Sequence, residues 1–186
     1  MSRITESAIE DLAIERLESL GYSYVYGPDI ASDGETPQRE SYDDVLLLGK
    51  LRSALGRINP SIPEAVREDA LKQVQRLNSP ELISNNETFH RMLTEGIKVN
   101  YQQDGNPRGD LVWLIDFETP ENNDFIIVNQ FTIIENGVNK RPDVLLFVNG
   151  IPLVVIELKN AADENATLKS AFKQVETYKA MIPSLF

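Results

Sequence analysis

Cysteine is absent from this 186-residue sequence, so neither a disulfide nor a thiolate-bound metal can hold the fold or carry its chemistry. Histidine occurs once, at His90. With no base partner in a matching pattern it reads as an ordinary helix residue. No apolar amino-terminal segment suggests export or membrane insertion. The expected location is therefore cytoplasmic, with no membrane partner, and the sequons at Asn86 and Asn165 have no use there. Positive charge is also scarce: 18 Lys and Arg face 29 Asp and Glu, a formal net charge of -11. Phosphate contacts by Lys and Arg supply most non-specific affinity for nucleic acid, so this balance argues against a free-standing DNA binder. The shortage is uneven. Residues 1–126 hold 12 basic and 23 acidic side chains, whereas residues 127–186 hold 6 of each. If the chain works on DNA, something else must bring the DNA to it.

What is present suffices for one core, since 41% of the residues are hydrophobic. Residues from about Arg3 to Leu20 are expected to form a helix, with Ile9, Leu12, Ala13, Leu17 and Leu20 on one face and Gly21 as terminator. A short strand over Tyr22 to Tyr26 and a turn-rich loop follow. A helical block is expected from about Tyr42 to Glu95, broken at Asn59-Pro60 and Ser79-Pro80, with Ser61 and Glu64 as a capping box. After Gly96 the period shortens. Strands are expected at Ile97–Tyr101, Leu111–Phe117, Phe125–Ile134, Val144–Val148 and Ile151–Leu158. The last two are apolar on both faces, which predicts interior strands of a covered sheet. A final helix from about Thr167 to Ile182 carries Leu168, Ala171, Phe172, Val175 and Tyr178 at helical spacing.

Within this apolar stretch, RPDVLLFVNGIPLVVIELKN, stand Asp143, Glu157 and Lys159. Stripping water from a charge costs several kcal/mol, about as much as a small domain can spare, so such residues need partners or a metal. Residues two apart on a strand share a face, so Glu157 and Lys159 point together. Two carboxylates and an amine suit phosphodiester hydrolysis: the oxygens, with the Leu158 carbonyl, can hold Mg²⁺, while the amine orients or helps deprotonate water. The same residues also fit a strand-end charge pair beside a turn aspartate. Gln174 and Tyr178, four apart, line one side of the last helix, either reaching that site or packing at the rim of the core. Parity adds a condition. A strict two-residue loop at Asn149-Gly150 would pair Asp143 with Ile156 and turn it away from Glu157. A shared cation therefore requires an odd-length loop or one bulge, expected between Val148 and Leu153, where Gly150 and Pro152 favour irregularity.

In order, Pro142-Asp143, Glu157-x-Lys159 and Gln174-x-x-x-Tyr178 resemble the RecB-like branch of the PD-(D/E)xK nucleases. More closely, IEDLAIERLESLGY, NNDFIIVNQF, RPDVLLFVNGIPLVVIELKN and QVETYKAMIPSLF resemble the amino-terminal nuclease region of the R (HsdR) subunit of type I restriction-modification enzymes. The resemblance spans nearly the whole chain and is weakest over Tyr42 to Glu95. It implies a restriction-endonuclease-like α/β fold, a mixed sheet flanked by helices with a helical insertion at about 42–95. Residues 1–186 would then be the endonuclease domain of a longer subunit.

The resemblance further implies that Asp143 and Glu157 bind Mg²⁺, that Lys159 is the catalytic lysine, and that Gln174 and Tyr178 stand beside them. It places a glutamate of the first helix near the metal, Glu10 in preference to Glu6; a solvated helix charge is the other reading of Glu10. The implied activity is cleavage of unmodified duplex DNA after translocation by an ATP-driven motor of the same subunit. Methyltransferase and specificity subunits would be partners. The chain holds no GxxxxGK[ST] loop, so ATP would be used outside it. The other function class left open is a catalytically silent nuclease fold that binds DNA or docks the motor.

Overall fold

The computed structural model describes residues 5–77, 81–159 and 167–186. The expected helix start at Arg3, the break at Ser79-Pro80 and the sequon at Asn165 lie outside the described residues. In chain order the elements are α1 (Glu6–Glu18), β1 (Ser23–Tyr26), α2 (Leu48–Ile58), α3 (Glu64–Gln75), α4 (Leu82–Glu95), β2 (Ile97–Gln103), β3 (Asn106–Val112), β4 (Phe125–Asn129), β5 (Ile133–Glu135), β6 (Val138–Lys140), β7 (Val144–Val148), β8 (Ile151–Ile156) and α5 (Leu168–Met181). They fall into two compact units, Met1–Leu47 with Phe125–Phe186, and Leu48–Asp124.

The first unit is α/β, built on a mixed sheet in the order β1-β4-β7-β8. β1 runs parallel to β4, and the other pairings are antiparallel. Alternate residues of the inner strands feed two cores. On one face Ile126, Val128, Leu145 and Phe147 pack with Tyr178 and Ile182 at the end of α5. On the other, Ile127, Val144 and Leu146 pack with Ile14 and Leu17 of α1. Each helix starts on a side-chain cap that meets otherwise orphaned N–H groups: Thr5 Oγ1 accepts from the Ala8 N–H, and Thr167 and Ser170 form a reciprocal capping box. Gly21, at φ +98°, supplies the left-handed turn that leads from α1 to β1.

Several expectations are corrected. Leu12 and Leu20 are 64% and 65% exposed, while Ile14 lies buried against the sheet. Leu168 and Phe172 of α5 are likewise exposed at 93% and 64%. The period marks what a helix could bury, and only the turns that reach the sheet bury it. β8 is an edge strand, paired with β7 alone among the described residues, and its Leu153 and Val154 are open to solvent. The segment Phe125 to Ile134 is two strands, because Gln130 takes φ +53° and ends β4.

In the second unit the helical block starts at Leu48, six residues after Tyr42, and α3 begins after Pro63 without a side-chain cap. The Ser61–Glu64 capping box therefore does not form. Hairpin β2–β3 turns on Asp104-Gly105, both at positive φ, so its second strand comes earlier than Leu111. Among the described residues no helix is long and apolar enough to cross a membrane.

Candidate active site

The hairpin β7–β8 sets the geometry. Asn149 and Gly150 take φ +54° and +81°, the left-handed pair of a regular two-residue turn, with Val148 opposite Ile151 and Phe147 opposite Pro152. In such a hairpin the pair next to the loop-flanking one exchanges no ladder hydrogen bonds, so Pro152 forfeits nothing by lacking an N–H. The register then slips. Leu146 pairs with Val154, Leu145 with Val155 and Val144 with Ile156, which leaves Leu153 as the extra residue of a bulge. The next facing positions are Asp143 and Glu157. The irregularity falls at the far end of the expected interval, and the turn itself is regular.

Parity with Leu145 and Val155 directs both carboxylates to the α5 face. There the Leu158 N–H donates to Asp143 Oδ2 at 2.6 Å, so the Glu157-x-Lys159 backbone holds the aspartate. The Glu157 side chain is only 3% exposed. Lys159 Nζ donates to its Oε1 at 3.1 Å, and the Tyr178 hydroxyl donates to its Oε2 at 3.0 Å. Gln174 Nε2 in turn donates to the Tyr178 hydroxyl oxygen at 2.8 Å. Gln174, Tyr178, Glu157 and Lys159 thus form one chain of hydrogen bonds from α5 to the end of β8.

Burial, and after it the charge of Asp143, pushes the Glu157 carboxyl above the usual carboxylate range. The hydrogen bonds from Lys159 and Tyr178 pull the other way and do not cancel that push. Burial, with the Glu157 and Asp143 charges, also raises the Tyr178 phenol, which keeps it a donor at neutral pH. Two facing carboxylates whose mutual repulsion one amine does not relieve are a donor set that a hard, oxygen-seeking dication fits. Asp143 and Glu157 are the residues that could hold Mg²⁺.

Glu10 sits on the other side of the sheet end. Its Oε1 accepts from Asn129 Nδ2 at 2.7 Å, and Gln130 Nε2 lies 3.2 and 3.3 Å from its two oxygens. Glu6 is exposed. Among the described residues no three His, Cys, Asp or Glu side chains gather on one cation position. The structure therefore joins Glu157, Lys159, Gln174 and Tyr178 directly, links Asp143 to them through the Leu158 N–H, and ties Glu10 to the neighbouring end of β4. Asn129 and Gln130 were not singled out in the sequence. Their signal was weak: two amides ending an apolar strand are common.

The family described as type I restriction enzyme R protein N terminus matches residues 3–186. The chain is 40% identical over 184 residues to the endonuclease subunit of the type I restriction enzyme HindI from Haemophilus influenzae, covering 98% of this chain and 17% of that protein. It is 36% identical over 181 residues to a Methanocaldococcus jannaschii protein named for the MjaIXP endonuclease subunit, with 96% and 17% covered. The chain thus spans about a sixth of the length of these curated relatives.

Proposed function

From a chain that belongs to the type I restriction enzyme R protein N-terminal family, we propose a Mg²⁺-dependent endonuclease module with the restriction-endonuclease-like PD-(D/E)xK fold. It hydrolyses phosphodiester bonds of unmodified duplex DNA. The substrate is delivered by ATP-driven motor domains of the same subunit, working with methyltransferase and specificity subunits. The observation that carries this reading is that the bulged β7–β8 hairpin brings Val144 opposite Ile156, so that the Leu158 N–H holds the Asp143 carboxylate beside Glu157, with Lys159 on Glu157.

In this reading Asp143, Glu157 and the Leu158 carbonyl would hold Mg²⁺, which when bound would supply positive charge against the phosphate and acidify water. The Leu158 N–H fixes the Asp143 carboxylate. Lys159, anchored on Glu157 Oε1, orients the attacking water through the N–H groups that Glu157 does not use. Tyr178 steadies the second oxygen of Glu157, and Gln174 steadies Tyr178. Glu10 is the accessory carboxylate of the first helix, behind the strand end from which Asp143 departs.

The test is made in the assembled restriction enzyme. Asp143→Ala, Glu157→Ala and Lys159→Ala should each lower DNA cleavage by orders of magnitude, as members of one catalytic unit do. ATP hydrolysis and translocation should stay near normal. Cleavage that survives all three changes would show that the reaction is done elsewhere.

A further inference from the structure

The polar cluster beneath the end of β4 is more elaborate than packing requires. Asn129 is 7% exposed and uses both ends of its amide: the Tyr24 hydroxyl donates to Oδ1 at 2.9 Å, and Nδ2 donates to Glu10 Oε1. The apolar contacts of Ile14 and Leu17 already fasten α1 to this face. A buried polar network adds stability only when it is fully satisfied, so its gain over apolar filling lies in fixing one geometry.

Gln130 comes next, with φ +53° on a residue that has a Cβ. Left-handed backbone is unfavourable for a non-glycine residue, and it persists where surrounding contacts enforce it. Here it lets one residue face two ways. The Gln130 side chain reaches Glu10, while its backbone N–H lies 3.4 Å from the carbonyl oxygen of Asp143. Asn129 itself pairs with Val144, the residue after Asp143. Close approach completes the arrangement: a Cβ at Gly27 would meet the Asn129 carbonyl at 2.4 Å, and the Gly27 N–H donates to that oxygen at 3.0 Å.

We propose that Asn129 and Gln130 are positioning residues for the nuclease site, an amide clamp that locks the Asp143 backbone to Glu10 of α1 and so sets where the Asp143 carboxylate stands. This rests on the reading of Asp143 as a site carboxylate. The Leu158 N–H holds the side chain of Asp143 and the clamp holds its main chain, so the carboxylate has two independent anchors.

The informative variant is Gln130→Gly in the full R subunit and its assembled complex. Glycine accepts the left-handed backbone without strain, so the fold keeps its turn and loses only the tie to Glu10. Outer contacts to metal-binding groups typically matter roughly 10- to 100-fold. Expected are a kcat for cleavage lowered by about that factor, an unchanged KM for DNA and unchanged ATP hydrolysis. Mn²⁺ bound to the nucleotide-free R subunit, followed by its paramagnetic resonance, should show affinity weakened by a comparable factor. Asn129→Leu should reproduce the loss, and Asn129→Gln should restore none of it, since the buried amide has no room to lengthen. Wild-type cleavage and Mn²⁺ affinity in Gln130→Gly, with Asp143→Ala inactive, would overturn the clamp while sparing the site. An active Asp143→Ala would overturn the reading beneath both. A cleavage loss matched by loss of folded protein, with Mn²⁺ affinity intact, would reduce the cluster to scaffolding and also overturn it.

Discussion

The Glu157 side chain is nearly buried beside a second carboxylate, and the sign of that environment makes a pH prediction. Burial and the Asp143 charge favour the protonated form, so its pKa stands above that of an exposed glutamate. The stability gained from a raised carboxyl is present at low pH and is lost as pH rises through the raised value. The cation-binding, ionised form predominates only above that value. Cleavage by the assembled enzyme at limiting Mg²⁺ should therefore fall away on the acid side at a pH above the ordinary carboxylate range. Added Mg²⁺ should move that limb to lower pH, because proton and cation compete for the same oxygens. The check is a set of pH–rate profiles at several Mg²⁺ concentrations, each normalised to ATP hydrolysis in the same solution. A limb fixed at ordinary carboxylate values, indifferent to Mg²⁺, would contradict it. At this scale the sequence was legible where charge met apolar context. Asp143, Glu157 and Lys159 stand out because a lone charge beside a buried strand is costly. Asn129 and Gln130 carry no charge and end a strand, so their role shows only when three segments distant in sequence meet.

Among the elements, the β7–β8 hairpin decides whether the site exists. Its two-residue turn and the facing of Val144 with Ile156, which brings Asp143 and Glu157 to the same end, are compatible only through one extra residue, Leu153. Deleting Leu153 should leave the same pairs facing in a regular ladder, and cleavage should be largely retained. Inserting one alanine between Leu153 and Val154 should slip the pairing, turn Asp143 away from Glu157 and lower cleavage by roughly 100-fold or more, as loss of a unit's member does. Parallel assays of cleavage and ATP hydrolysis on the two variants separate this from general damage. Equal activity in both would mean that the bulge has no part in placing the carboxylates. Parity alone showed that an irregularity was needed, since strand faces alternate with a period of two. That β8 would lie at an edge was not legible: Leu153 and Val154 are as apolar as interior residues, and the chemistry of a strand does not state how many neighbours it has. The exposure of Leu168 and Phe172 teaches the same about α5, whose last turns alone reach the sheet core.

For the molecule as a whole, charge is the governing quantity. With a net charge of -11, residues 1–186 expressed alone should bind duplex DNA weakly at physiological salt and cut it poorly even with Mg²⁺. Mobility-shift and nicking assays over a salt series test this, and robust cutting insensitive to salt would refute it. Tethering to a DNA-bound motor would instead provide a high effective concentration without intrinsic affinity. The class of the fold was legible from the alternation of periods along the chain, and an insertion was expected over about 42–95, but nothing in the sequence showed that β2 and β3 fall in the same unit as its helices. The unit holding the site is discontinuous, interrupted by residues 48–124. β1 finds its parallel partner only a hundred residues later, with Ser23 beside Ile126. During synthesis the intervening unit is contiguous and can close as it emerges, whereas the sheet must wait for β4 and β7. Asp143 emerges just ahead of β7, and Glu157, Lys159, Gln174 and Tyr178 follow it. A polypeptide interrupted within its first 142 residues therefore carries none of these five side chains, even where the intervening unit has already closed.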